Sequence, residues 1–308
     1  MKLIVTGSLS FDCIMSMPGR FEDYLQPDKL HLINVSFLMD TYRKNQGGTA
    51  GNQAYTLALL GFKPVIFSCA GKDFSRYSRK LESAGAETGE IRIDKTKITA
   101  SGFCMTDTND NQIWGFYSGA MAGDKDLQLD RVAQPGDFVL ITPTEPRAME
   151  NFIKYCCQKN IKFLLDPAFQ IPRIKQKILQ QGVNRAEIII GNDYEIALLA
   201  KRVKLNRQKI IITTLGRHGS RINCKGKSQI IPIARPKSEV NPTGAGDAYR
   251  AGFLAGYLKI LPLPVCGRMG ALAAVYTVEK FGTQTHHFTL NQFKKRYQEN
   301  FKQPLSGT

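Results

Sequence analysis

A glycine-rich turn followed by an acid stands out in the run Asn241-Pro242-Thr243-Gly244-Ala245-Gly246-Asp247. An apolar helical pattern follows it, so the small residues would leave backbone N–H groups open at a helix N-terminus. Those amides and the helix dipole favour a bound anion such as a phosphate. Asp247 is then either a simple stabilising acid of the first turn or, beside an anion pocket, a general base that accepts the proton of a hydroxyl attacking a phosphoryl group.

A second glycine cluster, Gln46-Gly47-Gly48-Thr49-Ala50-Gly51-Asn52, opens an earlier predicted helix. The paired glycines suit a hinge, and Asn52 on the first helical turn would face a ligand. A plain strand-to-helix turn explains the same residues equally well.

The elements that must position these residues alternate between short runs rich in Val, Ile and Leu and helical patterns. This alternation predicts an α/β, doubly wound fold with a mostly parallel sheet and helices on both faces. The predicted strands are residues 2–6, 64–69, 137–141, 161–165, 187–190 and 209–213. The predicted helices are residues 50–60, 75–84, 144–158, 193–201, 244–258, 264–281 and 290–301.

Two segments, residues 11–45 and 90–119, interrupt the alternation with strand-like patterns that lack partner helices. We predict that they form a small β-rich lid over the carboxyl ends of the sheet strands, where such folds bind ligands. Residues 1–10, 46–89 and 120–308 are predicted to form the α/β domain.

Together these motifs resemble both signatures of the ribokinase-like (PfkB) carbohydrate kinase family. The second signature matches Gly244-Ala245-Gly246-Asp247, and the first matches Gly47, Gly48, Asn52, Ala54, Gly61 and Gly71. Asn192-Asp193-Tyr194-Glu195 resembles the family's N-x-x-E motif, and Thr214-Leu215-Gly216-x-x-Gly219 resembles its nucleotide-binding segment. The resemblance covers essentially the whole chain, in the expected order.

The resemblance implies a catalytic role for the second signature. Asp247 would be the base, and the amides of Gly244, Ala245 and Gly246 would hold the charge of the transferring phosphoryl group. Asp12 matches the family's N-terminal acid, whose carboxylate would accept hydrogen bonds from the vicinal hydroxyls of a ribose or furanose. Gly47, Gly48 and Asn52 would line the same substrate site.

On the nucleotide side, the resemblance implies an ATP groove formed by Thr214, Gly216, Gly219 and Thr243. Asn192 and Glu195 would orient Mg²⁺ and its waters on the ATP phosphates. The same pair has the composition of a helix capping box, and both roles are compatible.

Two features concern cation and phosphate binding. The family commonly has Asp where this chain has Asn241, in the loop that holds a monovalent cation in relatives; the Asn keeps a carbonyl ligand and loses the charge, which argues against K⁺ activation. No Walker A motif is present, because Arg221 stands where the first glycine before Gly226-Lys227-Ser228 is required.

Aromatic residues of the second insert bear on the substrate. Phe103, Trp114 and Phe116, with Gln112 beside them, would stack on and contact a nucleoside base, although such residues also serve as core or dimer-interface residues. Further segments resemble the adenosine/nucleoside kinase branch, namely Asp110-Asn111-Gln112-Ile113, Asp166-Pro167, residues 247–253 and residues 278–284. We therefore expect phosphorylation of the 5′-hydroxyl of a nucleoside, with adenosine first; the alternative is a sugar kinase for ribose or fructose.

Composition bounds the remaining classes. The 308 residues carry a formal net charge of +16, and residues 201–237 contain 11 basic residues and no acid. That stretch lacks the aromatic residues that nucleic-acid binding proteins use to stack on bases, so we expect no nucleic-acid partner. A non-catalytic nucleotide or nucleic-acid binding protein is the second alternative, and the salt dependence of binding would distinguish it from a kinase.

The seven cysteines show no C-x-x-C spacing. The first residues form no signal peptide and no membrane span is expected, which predicts a cytoplasmic protein. The family resemblance implies a monomer or a lid-mediated homodimer.

Overall fold

The computed structural model describes residues 1–25, 27–32, 34–109 and 111–305. In chain order the strands within these ranges are β1 (Leu3–Thr6), β2 (Ser10–Ser16), β3 (Thr41–Gly47), β4 (Pro64–Phe67), β5 (Cys69–Gly71), β6 (Arg92–Asp94), β7 (Ala100–Thr106), β8 (Gln112–Tyr117), β9 (Phe138–Ile141), β10 (Lys162–Leu165), β11 (Ile188–Asn192), β12 (Ile210–Thr214), β13 (Ser220–Cys224) and β14 (Lys227–Ile231). The helices are α1 (Thr49–Leu59), α2 (Ser75–Ala84), α3 (Pro146–Lys159), α4 (Gln176–Arg185), α5 (Asp193–Arg202), α6 (Ala245–Leu258), α7 (Leu263–Val278) and α8 (Leu290–Phe301).

The main sheet has eight strands in the order β14-β13-β12-β11-β10-β9-β1-β4. Six neighbouring strands of this sheet, β12, β11, β10, β9, β1 and β4, pair in parallel. The strands β13 and β14 extend the β12 edge in antiparallel pairing. Because the chain runs from β1 to β4 on one side and returns to β9 on the other, the carboxyl ends of β1 and β9 flank the topological switch point. Open α/β sheets bind their ligands at such a point.

Helices cover both faces of this sheet, as the sequence predicted. Successive residues of β1 alternate between two core clusters: Leu3 and Val5 lie in the first, and Ile4 lies in the second. Residues of α1, α2, α6, α7 and α8 complete the first cluster, whereas α3, α4 and α5 complete the second. The near-continuous apolar strands follow from this burial on both faces, and the doubly wound prediction is confirmed.

The prediction missed the helix α4 and the edge hairpin β13–β14. The hairpin turns at Lys225 and Gly226, which have φ angles of 50° and 75°, as a tight two-residue hairpin turn requires. The Gly226-Lys227-Ser228 run therefore belongs to a hairpin. The predicted strand 64–69 is divided into β4 and β5, because β5 leaves the main sheet and pairs with β6.

A second sheet of four strands has the order β3-β2-β7-β8. β2 pairs antiparallel with β3 and parallel with β7, and β7 pairs antiparallel with β8. β6, which lies in the 90–119 segment, is not part of this small sheet, since it pairs with β5. Asp110, singled out in the sequence, lies outside the described residues.

No helix among the described residues is both long enough and apolar enough to cross a membrane.

Candidate active site

The N-terminus of α6 presents open backbone amides. Gly244, the residue before the helix, has φ +82°, a conformation that glycine adopts without strain. The amide of Ala245 donates to Pro242 O at 3.1 Å, so this predicted anion-binding amide is engaged within the turn. The amides of Gly244, Gly246 and Asp247 have no acceptor among the described residues, so the positive end of the helix is open to an anion.

Asp247 lies in the first turn of α6 and is held by two amide side chains of α1. Its Oδ2 accepts a hydrogen bond from Asn52 Nδ2 at 2.8 Å, and its Oδ1 accepts one from Gln53 Nε2 at 3.1 Å. Burial raises the pKa of Asp247, while Arg250 and these two hydrogen bonds oppose the rise. Each carboxylate oxygen keeps a further acceptor position for a substrate hydroxyl.

Asn52 is oriented by the segment that follows α7. Its Oδ1 accepts hydrogen bonds from Thr283 Oγ1 at 2.7 Å and from Gln284 Nε2 at 2.9 Å. The oxygen is thereby turned away from Asp247 and the NH₂ group toward it. The sequence placed Asn52 against the substrate, whereas the structure engages both of its polar atoms with protein groups, and the side chain is buried.

Asp12 lies on β2 beside the glycine cluster. A Cβ on Gly47 would lie 2.5 Å from Asp12 Oδ2, so the glycine leaves room for this carboxylate. Gly48 has φ +90°, and a Cβ there would collide with Ser8 O. Burial, followed by the negative charge of Asp247, raises the pKa of Asp12 to about 6.

The small sheet has two faces, and the predicted aromatics divide between them. Asp12 is in register with Asn45 and Gly102, and Gly102 with Phe116. Because side chains alternate along a strand, Gln112, Trp114 and Phe116 share the face of Asp12. A Cβ on Gly102 would lie 3.0 Å from Trp114 Cζ3 and 3.5 Å from Asp12 Oδ1, which places the indole beside the carboxylate.

Phe103 lies on the other face of the small sheet, in register with Cys13 and Gly115. The sequence grouped it with Trp114 and Phe116 as a base-stacking residue. A spacing of one residue from Gly102 reverses the direction of its side chain, so the structure does not bring Phe103 together with the other two.

A charge cluster of Arg250, Asp166 and Glu195 lies near Asp247. Arg250, one turn further along α6, forms an ion pair with Asp166, which follows β10, and its Nη2 lies 3.8 Å from Glu195 Oε2. Arg250 and Asp166 are both buried. Burial raises the pKa of Asp166 to about 6, although Arg250 opposes the rise.

The predicted nucleotide motifs meet at a pocket of about 320 Å³ between the end of β12 and the start of α6. Thr214, Gly216 and Gly219 line one side of it, and Ala245 and Gly246 line another. Apolar residues of α7, including Val275 and Val278, close the pocket. Thr243 is exposed outside this lining, and its amide donates to Asn241 Oδ1 at 2.8 Å.

Asn192 and Glu195 form the capping box of α5. Glu195 N donates to Asn192 Oδ1 and Asn192 N donates to Glu195 Oε2, each at 2.8 Å. Oε1 of Glu195 has no hydrogen-bond partner among the described residues. The pair therefore fits the orientation of a hydrated Mg²⁺ through water, with one free carboxylate oxygen.

Four polar residues of this site were given no role from the sequence: Gln53, Arg250, Thr283 and Gln284. Gln53 is a fully buried amide within an apolar helical pattern, and such a residue needs a partner; that mismatch was visible in the sequence. The partners themselves were not, because Gln53 and Asp247 are 194 positions apart.

Comparison with known proteins assigns the chain to a family. Residues 7–289 match the pfkB family carbohydrate kinases, and the chain belongs to this family of kinases. The open N-terminus of α6 and the pocket beside it lie within the matched region.

Individual relatives are similar over nearly their whole length. A nucleoside kinase of Methanothermobacter thermautotrophicus is 29% identical over 305 residues, which cover 96% of this chain and 95% of the relative. The nucleoside kinase of Burkholderia thailandensis in complex with inosine has a TM-score of 0.86 at 28% identity, covering 98% of this chain and 99% of that one. A ribokinase of Haemophilus influenzae is 26% identical, with 92% of this chain and 94% of the relative covered.

Proposed function

We propose that this protein is an ATP-dependent nucleoside kinase that phosphorylates the 5′-hydroxyl of its substrate, with adenosine as the first candidate. The observation that carries the proposal is the position of Asp247. It lies at an open helix N-terminus, within electrostatic reach of Asp12 and next to the nucleotide pocket. The similarity to nucleoside kinases over nearly the full chain, including a structure with inosine, supports the nucleoside as acceptor.

In this proposal the acceptor hydroxyl donates its proton to a carboxylate oxygen of Asp247. The hydroxyl oxygen then forms a bond to the γ-phosphorus of ATP, and the bond between that phosphorus and the β–γ bridging oxygen breaks, with its electron pair leaving on ADP. The open amides of Gly244, Gly246 and Asp247 hold the charge on the γ-phosphoryl oxygens. Asn52 and Gln53 keep the carboxylate in place by their hydrogen bonds.

The acceptor lies between Asp247 and the inner face of the small sheet, which is the face that carries Asp12, Trp114 and Phe116. Asp12 accepts hydrogen bonds from the ribose hydroxyls, and Trp114 and Phe116, which share its face, stack on the base. We assign the lid role to the small sheet, which moves about Gly47 and Gly48 and excludes water from the γ-phosphate. Phe103, on the outer face, takes no part in base binding.

Mg²⁺ bound to the ATP phosphates supplies charge neutralisation at the transferring group. Asn192 and Glu195 orient its waters, Thr214, Gly216 and Gly219 hold the nucleotide, and Thr243 contributes from the edge of the groove. Asn241 carries no charge, and its Oδ1 accepts a hydrogen bond from the Thr243 amide at 2.8 Å, so we do not expect K⁺ to activate the enzyme strongly.

A sugar kinase is the second candidate, favoured by the similarity to a ribokinase. The two substrates make different demands on the lid, because a free ribose has no base to stack on Trp114. Asp12 and Asp247 would serve either acceptor.

The test is ADP release from Mg-ATP with adenosine, inosine, cytidine, ribose and fructose, with and without K⁺, for the wild type and Trp114→Ala. Phe103→Ala is the matched control, since it removes an aromatic of the same small sheet on the other face. We expect nucleosides to be preferred, with Trp114→Ala raising the nucleoside KM about tenfold or more and Phe103→Ala leaving it unchanged. Preference for free sugars in the wild type would overturn the nucleoside assignment and retain the kinase.

A further inference from the structure

We propose that Arg250 is a positioning residue of the phosphoryl-transfer site: anchored by Asp166, its guanidinium supports the turn at Gly246 from behind and balances the carboxylates that surround it. The inference rests on the proposed function, because it assumes that Asp247 acts in its ionised form.

The first support is the location of the guanidinium. Residues three apart on a helix lie on neighbouring positions of the same side, so Arg250 is placed directly behind Asp247 on α6. A Cβ on Gly246 would lie 2.8 Å from Arg250 Nη1. Gly246 is therefore needed for the guanidinium as well as for any anion in front of the turn, and the two faces of the turn serve different groups.

The second support is the anchoring of the side chain. Asp166 and Arg250 are 1% and 7% exposed, and a buried ion pair of this kind holds both partners in one geometry. Oδ1 of Asp166 and Nε of Arg250 both lack a hydrogen-bond partner among the described residues, so Nε contacts Oδ2 of Asp166 as an ion pair without an aligned hydrogen bond. The pair is thus not optimised as a structural bridge, which would use both carboxylate oxygens.

The third support is the balance of charge around Asp247. Two neutral amide side chains of α1, Asn52 and Gln53, bind Asp247 directly. The charged or titratable groups around Asp247 come from five elements: Asp12 from β2, Tyr77 from α2, Asp166 after β10, Glu195 from α5 and Arg250 from α6. Of these groups one, Arg250, is a cation. Without it, a cluster of carboxylates would stand where the phosphates of ATP must bind, and Asp247 would hold its proton more tightly.

The sign of the pH effect follows. Loss of a neighbouring positive charge disfavours the ionised carboxylate, so Arg250→Gln should move the acid limb of the kcat profile to higher pH. Asp166→Asn removes a negative neighbour, so the same limb should stay in place or move to lower pH, although kcat falls because the guanidinium loses its anchor. A purely structural role would reduce activity equally at every pH.

The experiment compares the full-length wild type with Arg250→Gln, Arg250→Lys and Asp166→Asn, measuring kcat and KM from about pH 5 to about pH 9 with thermal unfolding of each variant. The matched control is Arg296→Lys. Arg296 lies on α8 and forms another ion pair, with Glu279 at the end of α7. We expect Arg250→Gln to lower kcat about 100-fold at pH 7, to regain activity as the pH rises, and to change the acceptor KM little. Arg250→Lys should recover part of kcat, and Arg296→Lys should keep the wild-type acid limb.

A pH-independent loss in Arg250→Gln, or wild-type kcat in that variant, would overturn the inference. If Arg250→Gln does not fold, Arg250→Lys and Asp166→Asn decide the question. Lys keeps the positive charge and Asn removes a negative neighbour, so both variants should lower kcat without moving the acid limb to higher pH. Wild-type kcat in both variants, or an acid limb at higher pH in either, contradicts the inference. Failure of the proposed function is recognised separately, because in that case Asp247→Asn retains turnover whatever the Arg250 variants show.

Discussion

The helices α1 and α6 begin alike and differ in what their first amides contact. Each follows a glycine with positive φ, Gly48 at 90° and Gly244 at 82°. At α1 the amides of Thr49 and Ala50 donate to Ser8 Oγ at 3.1 Å and to Ser8 O at 3.0 Å. At α6 the amides of Gly246 and Asp247 find no acceptor among the described residues.

A glycine-rich turn before a helix is thus compatible with two opposite uses. At α1 it lets the chain approach the end of β1 closely, and Ser8 accepts hydrogen bonds from the amides of Thr49 and Ala50, while the amide of Gly51 has no acceptor among the described residues. At α6 it leaves the N-terminus available to an anion and carries an acid, Asp247, in the first turn, which α1 lacks. The same local pattern anchors one helix and leaves a binding site at the other.

The largest effect is expected from Asp247→Asn, which removes the acid of α6 and keeps its amides. We expect turnover to fall by at least about 100-fold, because the acceptor loses its general base, with ATP affinity nearly unchanged. Coupled ADP release and ATP titration by calorimetry measure the two quantities. Turnover close to that of the wild type would exclude Asp247 as the base.

The paired variants Gly246→Ala and Gly48→Ala compare the two turns directly. A Cβ at Gly246 meets the guanidinium of Arg250, whereas one at Gly48 meets the backbone of Ser8 at a positive φ. Gly246→Ala should therefore lower kcat by about tenfold or more through the displaced guanidinium and lower the melting temperature less than Gly48→Ala does.

Gly48→Ala should chiefly lower the melting temperature, because neither the φ angle nor the backbone contact can adjust cheaply. The comparison of the two helices would fail if Gly246→Ala were the variant that melts early and Gly48→Ala the stable one.

Asp12 lies between the two turns, and Asp12→Asn should affect binding and stability in opposite directions. Its pKa is raised from 3.8 to about 6, so the native protein holds a proton there that the unfolded chain releases, and stability falls as the pH rises from about 4 to about 6. The Asn variant should therefore gain about 1–2 kcal/mol in unfolding free energy at pH 7 and nothing below about pH 4.

The same variant should raise the acceptor KM at least about tenfold, because an amide replaces a charged acceptor of two hydroxyl hydrogen bonds. Denaturant unfolding at both pH values and steady-state kinetics provide the measurements. An unchanged acceptor KM would remove Asp12 from the substrate site.

The smallest effect is expected at the start of α1, where Ser8 accepts a hydrogen bond from the Thr49 amide. Ser8→Ala removes the hydroxyl that accepts from the Thr49 amide and should reduce the unfolding free energy by about 1 kcal/mol, with kcat unchanged because the residue holds no substrate. Urea unfolding and ADP release measure both. A large loss of turnover at unchanged stability would show that the start of α1, too, binds a ligand.

Much of the main sheet was predictable because its strands are buried on both faces and read as continuous apolar runs. The strand 209–213, for example, was located close to β12. The hairpin β13–β14 was missed, since most of its exposed residues are basic or polar and its turn depends on positive φ at Lys225 and Gly226. The side assigned to Phe103 depends on register, which one sequence does not reveal.

The chemistry of the second signature was visible in the sequence, because the residue types Gly-Ala-Gly-Asp before an apolar helix suffice to indicate an anion site and an acid beside it. The sequence by itself determined the alternation of strands and helices apart from α4 and the hairpin β13–β14, the two glycine turns, and the identity of Asp247 as a candidate base. Only the tertiary structure decided that Ser8 fills the start of α1, that Asn52 and Gln53 of α1 hold Asp247, and that Arg250 lies behind Gly246 with Asp166. The physical reason is that hydrogen bonds and ion pairs in this site join groups as far apart as 232 positions, and such partners become known only when the chain packs.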